Sequence, residues 1–392
     1  MPASLRRTNQ RTVVSLLQRL DTASRASLAK AAGLSQPTAG KIITELEQLG
    51  LLQQAGSTGD HDAGQGCDTA PRLGRPGNLV RLDCRQARFL AIELGVGETC
   101  ISALPVAARL TDEWAFTFPT PKSADAWIQE LKRVAVTLPK RKLWGILVSV
   151  PGIVDEAGEK VLLSPNLHWL EKADLAKAIR RVWDLPVVLV QEIRALALGH
   201  LAASSEVQDF LLVDFGIGVG GAIVQAGKLY ASSLPMSGEL GHTLVQGNER
   251  RCGCGAVGCL ETLASERGLL ESFAGAHRVS KPAWATLARH VVEHGVEPWL
   301  TQTLVTAAKV ISGTLNVLGL RQVVLTGRLT ELPSAALEVL ATEVRGATLW
   351  ARFGEVVCES APRRRAAGLV ITGIDRLVLP SNPEQGLILQ AK

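Results

Sequence analysis

The sequence predicts an α/β protein with a small winged helix-turn-helix head, on three observations. Residues 1–83 show helical apolar spacing, a capped second helix and a strand–loop–strand tail. From residue 88 onward, apolar runs that end in turn residues alternate with long helical stretches. Within that second region one imidazole and three thiols, His242, Cys252, Cys254 and Cys259, fall inside eighteen residues. The division expected is a head at 1–83 and a body at 84–392.

A chain of 392 residues has room for two or three domains with cores of their own. Hydrophobic residues make up 46%, yet no apolar run approaches the roughly 20 residues needed to cross a membrane. Met1-Pro-Ala-Ser-Leu-Arg-Arg lacks the apolar segment of a signal peptide. Beyond the three thiols of the cluster, Cys67, Cys84, Cys100 and Cys358 are scattered, which is the usage of a reducing compartment. A cytoplasmic protein with no membrane association is therefore expected.

Net charge is only +5, but its distribution carries information. Residues 1–41 hold Arg6, Arg7, Arg11, Arg19, Arg25, Lys30 and Lys41 against one acid, Asp21. A basic leading segment on a near-neutral body is the electrostatic footprint of nucleic-acid binding. A solvated helical surface is the alternative.

The head is expected to begin with a helix over residues 8–20, where Val13, Leu16, Leu17 and Leu20 recur at helical spacing. Ser24 to Gly33 reads as a short alanine-rich helix stopped by glycine. Ser35 then caps a third helix that runs to Leu49, with Pro37 in its first turn and Ile42, Ile43, Leu46 and Leu49 as its buried stripe. Two helices joined by a glycine-bearing turn form a helix-turn-helix. Gln36, Thr38 and Lys41 lie at the exposed start of its second helix, with Ser35 and Arg25 beside them as further DNA contacts. A helical bundle without DNA is the competing interpretation. Gly50-Leu51-Leu52, a glycine-rich loop at 56–71 and the strand Leu79–Asp83 complete a wing. His61 and Cys67 read as loop residues rather than a second metal site.

In the body, strands are expected at Phe89–Gly95, Leu143–Gly152, Val187–Val190, Phe210–Gly216 and Gln322–Gly327. Helices separate them near 124–138, 171–182, 193–204 and 302–318, which predicts buried mixed sheets.

His242, Cys252, Cys254 and Cys259 offer one imidazole and three thiolates, a closed tetrahedral zinc set with no position left for water. One structural Zn2+ per chain follows. A disulfide-bearing loop is the alternative, although Cys252 and Cys254, one residue apart, are badly placed for a mutual bond. Glu239 and Glu261 flank the ligands, so the metal would fix a loop that carries other polar groups.

Pro151-Gly-Ile-Val-Asp155, Gly216-Ile-Gly-Val-Gly220, Gly238-Glu-Leu-Gly-His242 and Cys252-Gly-Cys-Gly-Ala-Val-Gly-Cys-Leu-Glu261 occur in one order behind the head. Over essentially its whole length the chain resembles the regulators of the ROK family (repressors, open reading frames and kinases). The resemblance implies a two-lobed, actin-like sugar-kinase fold with an inserted zinc loop and a sugar site in the cleft. It assigns sugar contacts to Glu239, His242 and Glu261, to Gln191 and Glu192 at the place of the kinase Asn-Asp pair, and to Asn166 in a further loop.

The departures from the kinase pattern point away from catalysis. The first phosphate loop of the kinases is Asp-x-Gly-Gly-Thr; here it reads Glu93-Leu-Gly-Val-Gly97. Ile217 replaces the Thr of the second loop, and Thr326-Gly327 keeps half of a glycine pair. Glu192 stands for the general-base Asp, one methylene longer, where a shift of ~1 Å can cost about 10²-fold in rate. Arg194 is expected to add bulk and charge nearby.

The expected protein is thus a non-enzymatic, sugar-responsive repressor of carbohydrate-utilisation genes. It would act as a homodimer or tetramer with operator DNA and a monosaccharide or sugar derivative as partners. An active sugar kinase with an accessory DNA head, and a regulator controlled by a protein partner, are the alternatives.

Overall fold

The computed structural model describes residues 3–57, 78–107, 114–139, 142–204, 209–230, 232, 234 and 236–380. The head comprises α1 (Ala3–Leu20), β1 (Thr22–Ser24), α2 (Arg25–Ala31), α3 (Gln36–Gln48), β2 (Leu52–Ser57) and β3 (Asn78–Leu82). The three strands form one antiparallel sheet in the order β1-β3-β2. Local chemistry explains the helix starts: Ser24 Oγ accepts from Ser27 N, and Ser35 Oγ from Thr38 N. Helix α1 begins five residues earlier than its apolar stripe predicts, because Arg6 and Gln10 reach Glu45 of α3 and anchor the extra turn. The tip of the expected wing, His61 and Cys67 included, lies outside the described residues.

The first lobe contains β4 (Phe89–Leu94), β5 (Glu98–Leu104), β6 (Ala115–Pro119), α4 (Ala124–Ala135), β7 (Gly145–Val150), β8 (Ile153–Asp155), β9 (Lys160–Leu163), α5 (Leu175–Trp183), β10 (Val187–Gln191) and α6 (Glu192–Ala203). Its main sheet runs β10-β7-β4-β5-β6, the first three parallel and the last two antiparallel.

The second lobe contains β11 (Phe210–Phe215), β12 (Val219–Gln225), β13 (Lys228–Leu229), α7 (Glu261–Ala264), α8 (Glu266–His277), α9 (Trp284–His294), α10 (Pro298–Leu318), β14 (Gln322–Gly327), α11 (Ser334–Ala347) and β15 (Val357–Ser360). Its sheet repeats the plan of the first: β15, β14 and β11 are parallel, followed by antiparallel β12 and β13.

Helix α12 (Arg365–Gly373) returns from the second lobe to cross α6. A Cβ on Gly368 would stand 1.8 Å from the Ala195 carbonyl oxygen, so glycine lets the two backbones touch.

Head and first lobe share one core. Val13, Leu17, Leu28, Ile42 and Val80 of the head belong to the same buried cluster as Phe89, Leu147, Leu369 and Leu377. Arg11 of α1 seals this junction, donating to the Leu379 carbonyl at 2.9 Å and the Asp375 carbonyl at 2.8 Å, with the Asp375 carboxylate 3.2 Å away.

Candidate functional site

Parallel strands present their carboxyl ends to one crevice, the usual ligand position of open α/β sheets. Here both lobes do so toward the same cleft. Gly95, Pro151, Gly152 and Gln191 follow or end β4, β7 and β10, and Gly216, Gly327 and Ala361 follow or end β11, β14 and β15. They line a cleft of about 860 Å³. Glu239, His242, Glu261, Gln191, Glu192 and Asn166, the six expected sugar contacts, all lie on its wall.

Their local supports differ. Glu239 precedes a single 3-10 turn, Leu240–His242, entered through Gly238 at φ +86°. A Cβ at Gly238 would meet the Gly221 carbonyl oxygen at 1.7 Å, so only glycine admits this approach. Gln191 donates its amide to Glu239 at 3.1 Å, bridging the lobes. Burial pushes the Glu239 carboxyl upward, opposed by His242 and Gln191. The buried Glu261 opens α7 and accepts from Val219 N at 3.0 Å, which fixes it on the cleft floor.

His242 faces two ways. Its Nδ1 lies 3.6 Å from Cys252 Sγ, and its Nε2 lies 3.9 Å from Glu239. Cys254 and Cys259 sulfurs are 3.7 Å apart, and the four donor atoms fall within 4.8 Å of one another. Tetrahedral zinc with bonds of about 2.0–2.3 Å has ligand edges of about 3.6–3.8 Å, so the donor set fits the ion. Burial, with Cys254 alongside, pushes the Cys259 thiol up to about 12, so a thiolate there calls for a cation. Asn248 donates to the Cys259 carbonyl and to Thr262 Oγ1, and Arg250 reaches the Thr262 and Gly268 carbonyls and Ser272, tying the loop to α8. Neither residue stood out in the sequence.

The other half of the cleft is filled with ion pairs. Arg365 pairs with Glu192 at 2.6 Å and Glu93 at 2.9 Å. Arg363 holds both oxygens of Asp214, whose Oδ1 also accepts from Thr326 at 2.7 Å. Burial opposes the Arg363 charge, yet Asp214 holds the guanidinium more firmly protonated than usual. Burial also pushes the Glu93 carboxyl up, partly offset by Arg365. The sequence signal for these pairs was the run Arg363-Arg364-Arg365, whose partners are distant in the chain. Glu192 therefore meets an arginine inside the cleft wall. Arg194 departs from expectation: it pairs with Glu156 at 3.1 Å and is not among the cleft-lining residues.

On the head, Gln36 and Lys41 are exposed on α3, and Thr38 is half-buried with its hydroxyl 2.8 Å from Ser35 Oγ. Arg25 is paired with Glu47 of α3 at 3.2 Å. The basic excess counted over residues 1–41 stops just short of Glu45 and Glu47, which neutralise Arg6 and Arg25. That leaves less positive charge for a partner than the count implied.

The ROK family pattern matches residues 89–365. The xylose repressor of Caldicellulosiruptor bescii is 37% identical over 145 residues, 36% of this chain and 36% of that protein. N-acetylmannosamine kinase of Salmonella newport is 30% identical over 182 residues, 46% of this chain and 62% of the kinase. The matched region thus spans less than two thirds of either relative. A crystal structure described as a ROK family transcriptional regulator, homologue of the E. coli MLC protein, superposes with a TM-score of 0.73 at 19% identity, covering 99% of this chain and 98% of that one. This supports a common fold from head to C-terminal helix.

Proposed function

The chain belongs to the ROK family, and from that membership we propose that it is a sugar-responsive transcriptional repressor without kinase activity. Residues 1–83 bind operator DNA through α3, and residues 84–392 bind a monosaccharide or sugar derivative between the lobes. The observation that carries this reading is the asymmetry of the cleft. Glu239, His242 and Glu261 converge on one side, where carboxylates accept from vicinal hydroxyls and an imidazole fixed through its other nitrogen holds one tautomer. On the other side Arg363 and Arg365 pair with Asp214, Glu192 and Glu93, of which Glu192 stands at the general-base position and Glu93 opens the first phosphate loop.

One zinc ion held by His242, Cys252, Cys254 and Cys259 keeps Glu261 and the imidazole in place. Its role is structural, because four protein ligands complete the tetrahedron. We place the protein in the cytoplasm; among the described residues no helix is long and apolar enough to cross a membrane. A homodimer or tetramer presents two heads to a palindromic operator. Sugar acts by favouring one lobe arrangement over another, which requires contacts that differ between the two.

The kinase relative, together with the carboxylate that Glu192 still offers at the general-base position, favours a second reading as an active sugar kinase. One experiment separates them. Purified protein is screened by thermal shift against a monosaccharide panel, and the hit is added to an operator complex with and without ATP. A ligand at 100 times its Kd adds about 2.7 kcal/mol. Release of DNA by sugar alone, without ADP, is expected. Sugar-dependent ADP formation at about 1–100 s⁻¹ would establish the kinase instead.

A further inference from the structure

The helical layer of the second lobe holds another group of metal-ligand side chains, on elements separate from the Cys–His loop. His277 closes α8, His290 stands one turn before the end of α9, and Glu297 immediately precedes α10. Both imidazoles turn Nε2 toward one carboxylate oxygen, Glu297 Oε2, at 2.9 Å each. The indole N–H of Trp299 donates to that same oxygen, also at 2.9 Å. Three nitrogens thus crowd one oxygen with two lone pairs. His277 Nε2, shielded from solvent, is the one left without a hydrogen bond. Phe273 packs its ring against His277, His290 and Trp299, at centroid distances of 4.7, 5.1 and 5.6 Å, which restricts any swing of the imidazoles.

We infer that His277, His290 and Glu297 form a second metal site, for a divalent first-row cation of the zinc type, that ties α8, α9 and α10 together. Their three donor atoms lie within 4.8 Å of one another. The nitrogen–oxygen separations of 2.9 Å are hydrogen-bond distances, which a tetrahedral ion bonded at about 2.0–2.2 Å would widen to about 3.3–3.6 Å, a shift these side chains can make without moving their helices. Two imidazoles with one carboxylate suit zinc, cobalt or nickel rather than calcium or magnesium. A bound ion also removes the surplus donor: each Nε2 offers a lone pair, the ring protons move to Nδ1, and Trp299 keeps donating to the carboxylate and orients it. The side chains retain 24%, 20% and 30% of their exposure, so the cluster lies near the surface although His277 Nε2 itself is shielded.

The test uses the untagged full-length chain with its Cys–His loop already zinc-loaded. Elemental analysis after equilibration at about 10 µM free Zn2+ should find two zinc ions per chain. His277→Gln and His290→Gln should each reduce this to one, while Cys254→Ser should lose the other ion. Cobalt added to the zinc-loaded wild type supplies a check that needs no variant. One equivalent should bind with weak visible bands and without the near-ultraviolet thiolate-to-cobalt absorption that the Cys–His loop would give. A single zinc per wild-type chain, a second ion that survives both glutamine variants, or a cobalt equivalent with thiolate absorption would each overturn the site.

Discussion

Glu239 belongs to the second lobe and accepts a hydrogen bond from Gln191 of the first. A sugar hydroxyl that donates to Glu239 competes with this amide, so ligand exchange at one carboxylate alters a contact between lobes. Glu239→Ala should leave operator affinity within about twofold and abolish sugar-driven release, since an effector shifts a conformer only through contacts it makes. Fluorescence anisotropy of a labelled operator with and without sugar measures both; release that persists in the variant refutes the assignment. Arg365→Ala is the complementary case, because it leaves Glu93 and Glu192 together without their shared cation. Breaking a fully buried pair costs about 3–5 kcal/mol, and solvent access lowers this to about 1–3 kcal/mol here. Burial already holds the Glu93 carboxyl above the ordinary range, so the folded chain binds that proton more tightly than the unfolded one. Its charge therefore lowers stability at higher pH, and the loss in Arg365→Ala should shrink as pH falls, read from urea midpoints at pH 8 and pH 5. Legibility at this scale follows chain distance. Gly238–His242 and Cys252–Glu261 are written within 24 residues and stood out in the sequence. Arg363 and Arg365 are 149 and 173 residues from Asp214 and Glu192, a pairing created only by the fold.

Among elements, those with local chemical punctuation were legible and those defined by packing were not. Ser24, Gly33 and Ser35 announce α2 and α3 through caps and a φ of +64°. Strand β6 has a neighbour on one side only, at the sheet edge, and α12 is buried at Gly368, Leu369, Val370, Thr372 and Gly373, positions its sequence does not mark. The α6–α12 crossing is close, and its glycines have a purpose that composition alone does not reveal. Gly368→Ala would force a Cβ against the Ala195 backbone and should destabilise by about 1–3 kcal/mol. Gly313→Ala in α10 meets nothing within 4 Å and should instead stabilise by about 0.5–1 kcal/mol. Equal effects of the two substitutions in chemical denaturation would contradict the close crossing. On α3, Lys41→Ala should weaken binding to all duplexes alike and flatten the salt dependence. Gln36→Ala should relax preference at one base position, by about 1–3 kcal/mol. A binding series against single-base operator variants tells the two apart.

At the scale of the whole molecule, the sequence suggested a head joined to a body at residue 83, whereas the packing joins them through one apolar core. That continuity was hidden because α1 meets the C-terminal segment, more than 350 residues away. If, as proposed, sugar changes the shape of the cleft and the chain acts as an oligomer, a head that shares its core with the first lobe would follow that lobe and alter the spacing of two heads. A polar chain runs parallel to the core. Gln191 N donates to Glu156, Glu156 pairs with Arg194 and Arg376, and the adjacent Asp375 pairs with Arg11 of α1. Contiguity of this kind is not evidence of energetic coupling; only a variant that separates the two functions is. Arg11 does not line the cleft and is not part of α3, and Arg11→Ala removes the guanidinium that clasps the Leu379 and Asp375 carbonyls. If the head transmits lobe position through this junction, the variant should bind sugar and operator within about threefold of wild type, yet require several-fold more sugar for half-release, a coupling loss of about 1 kcal/mol. Sugar affinity by calorimetry, operator affinity by anisotropy and the release curve together decide it. An unchanged release curve would place the transmission in the apolar core alone.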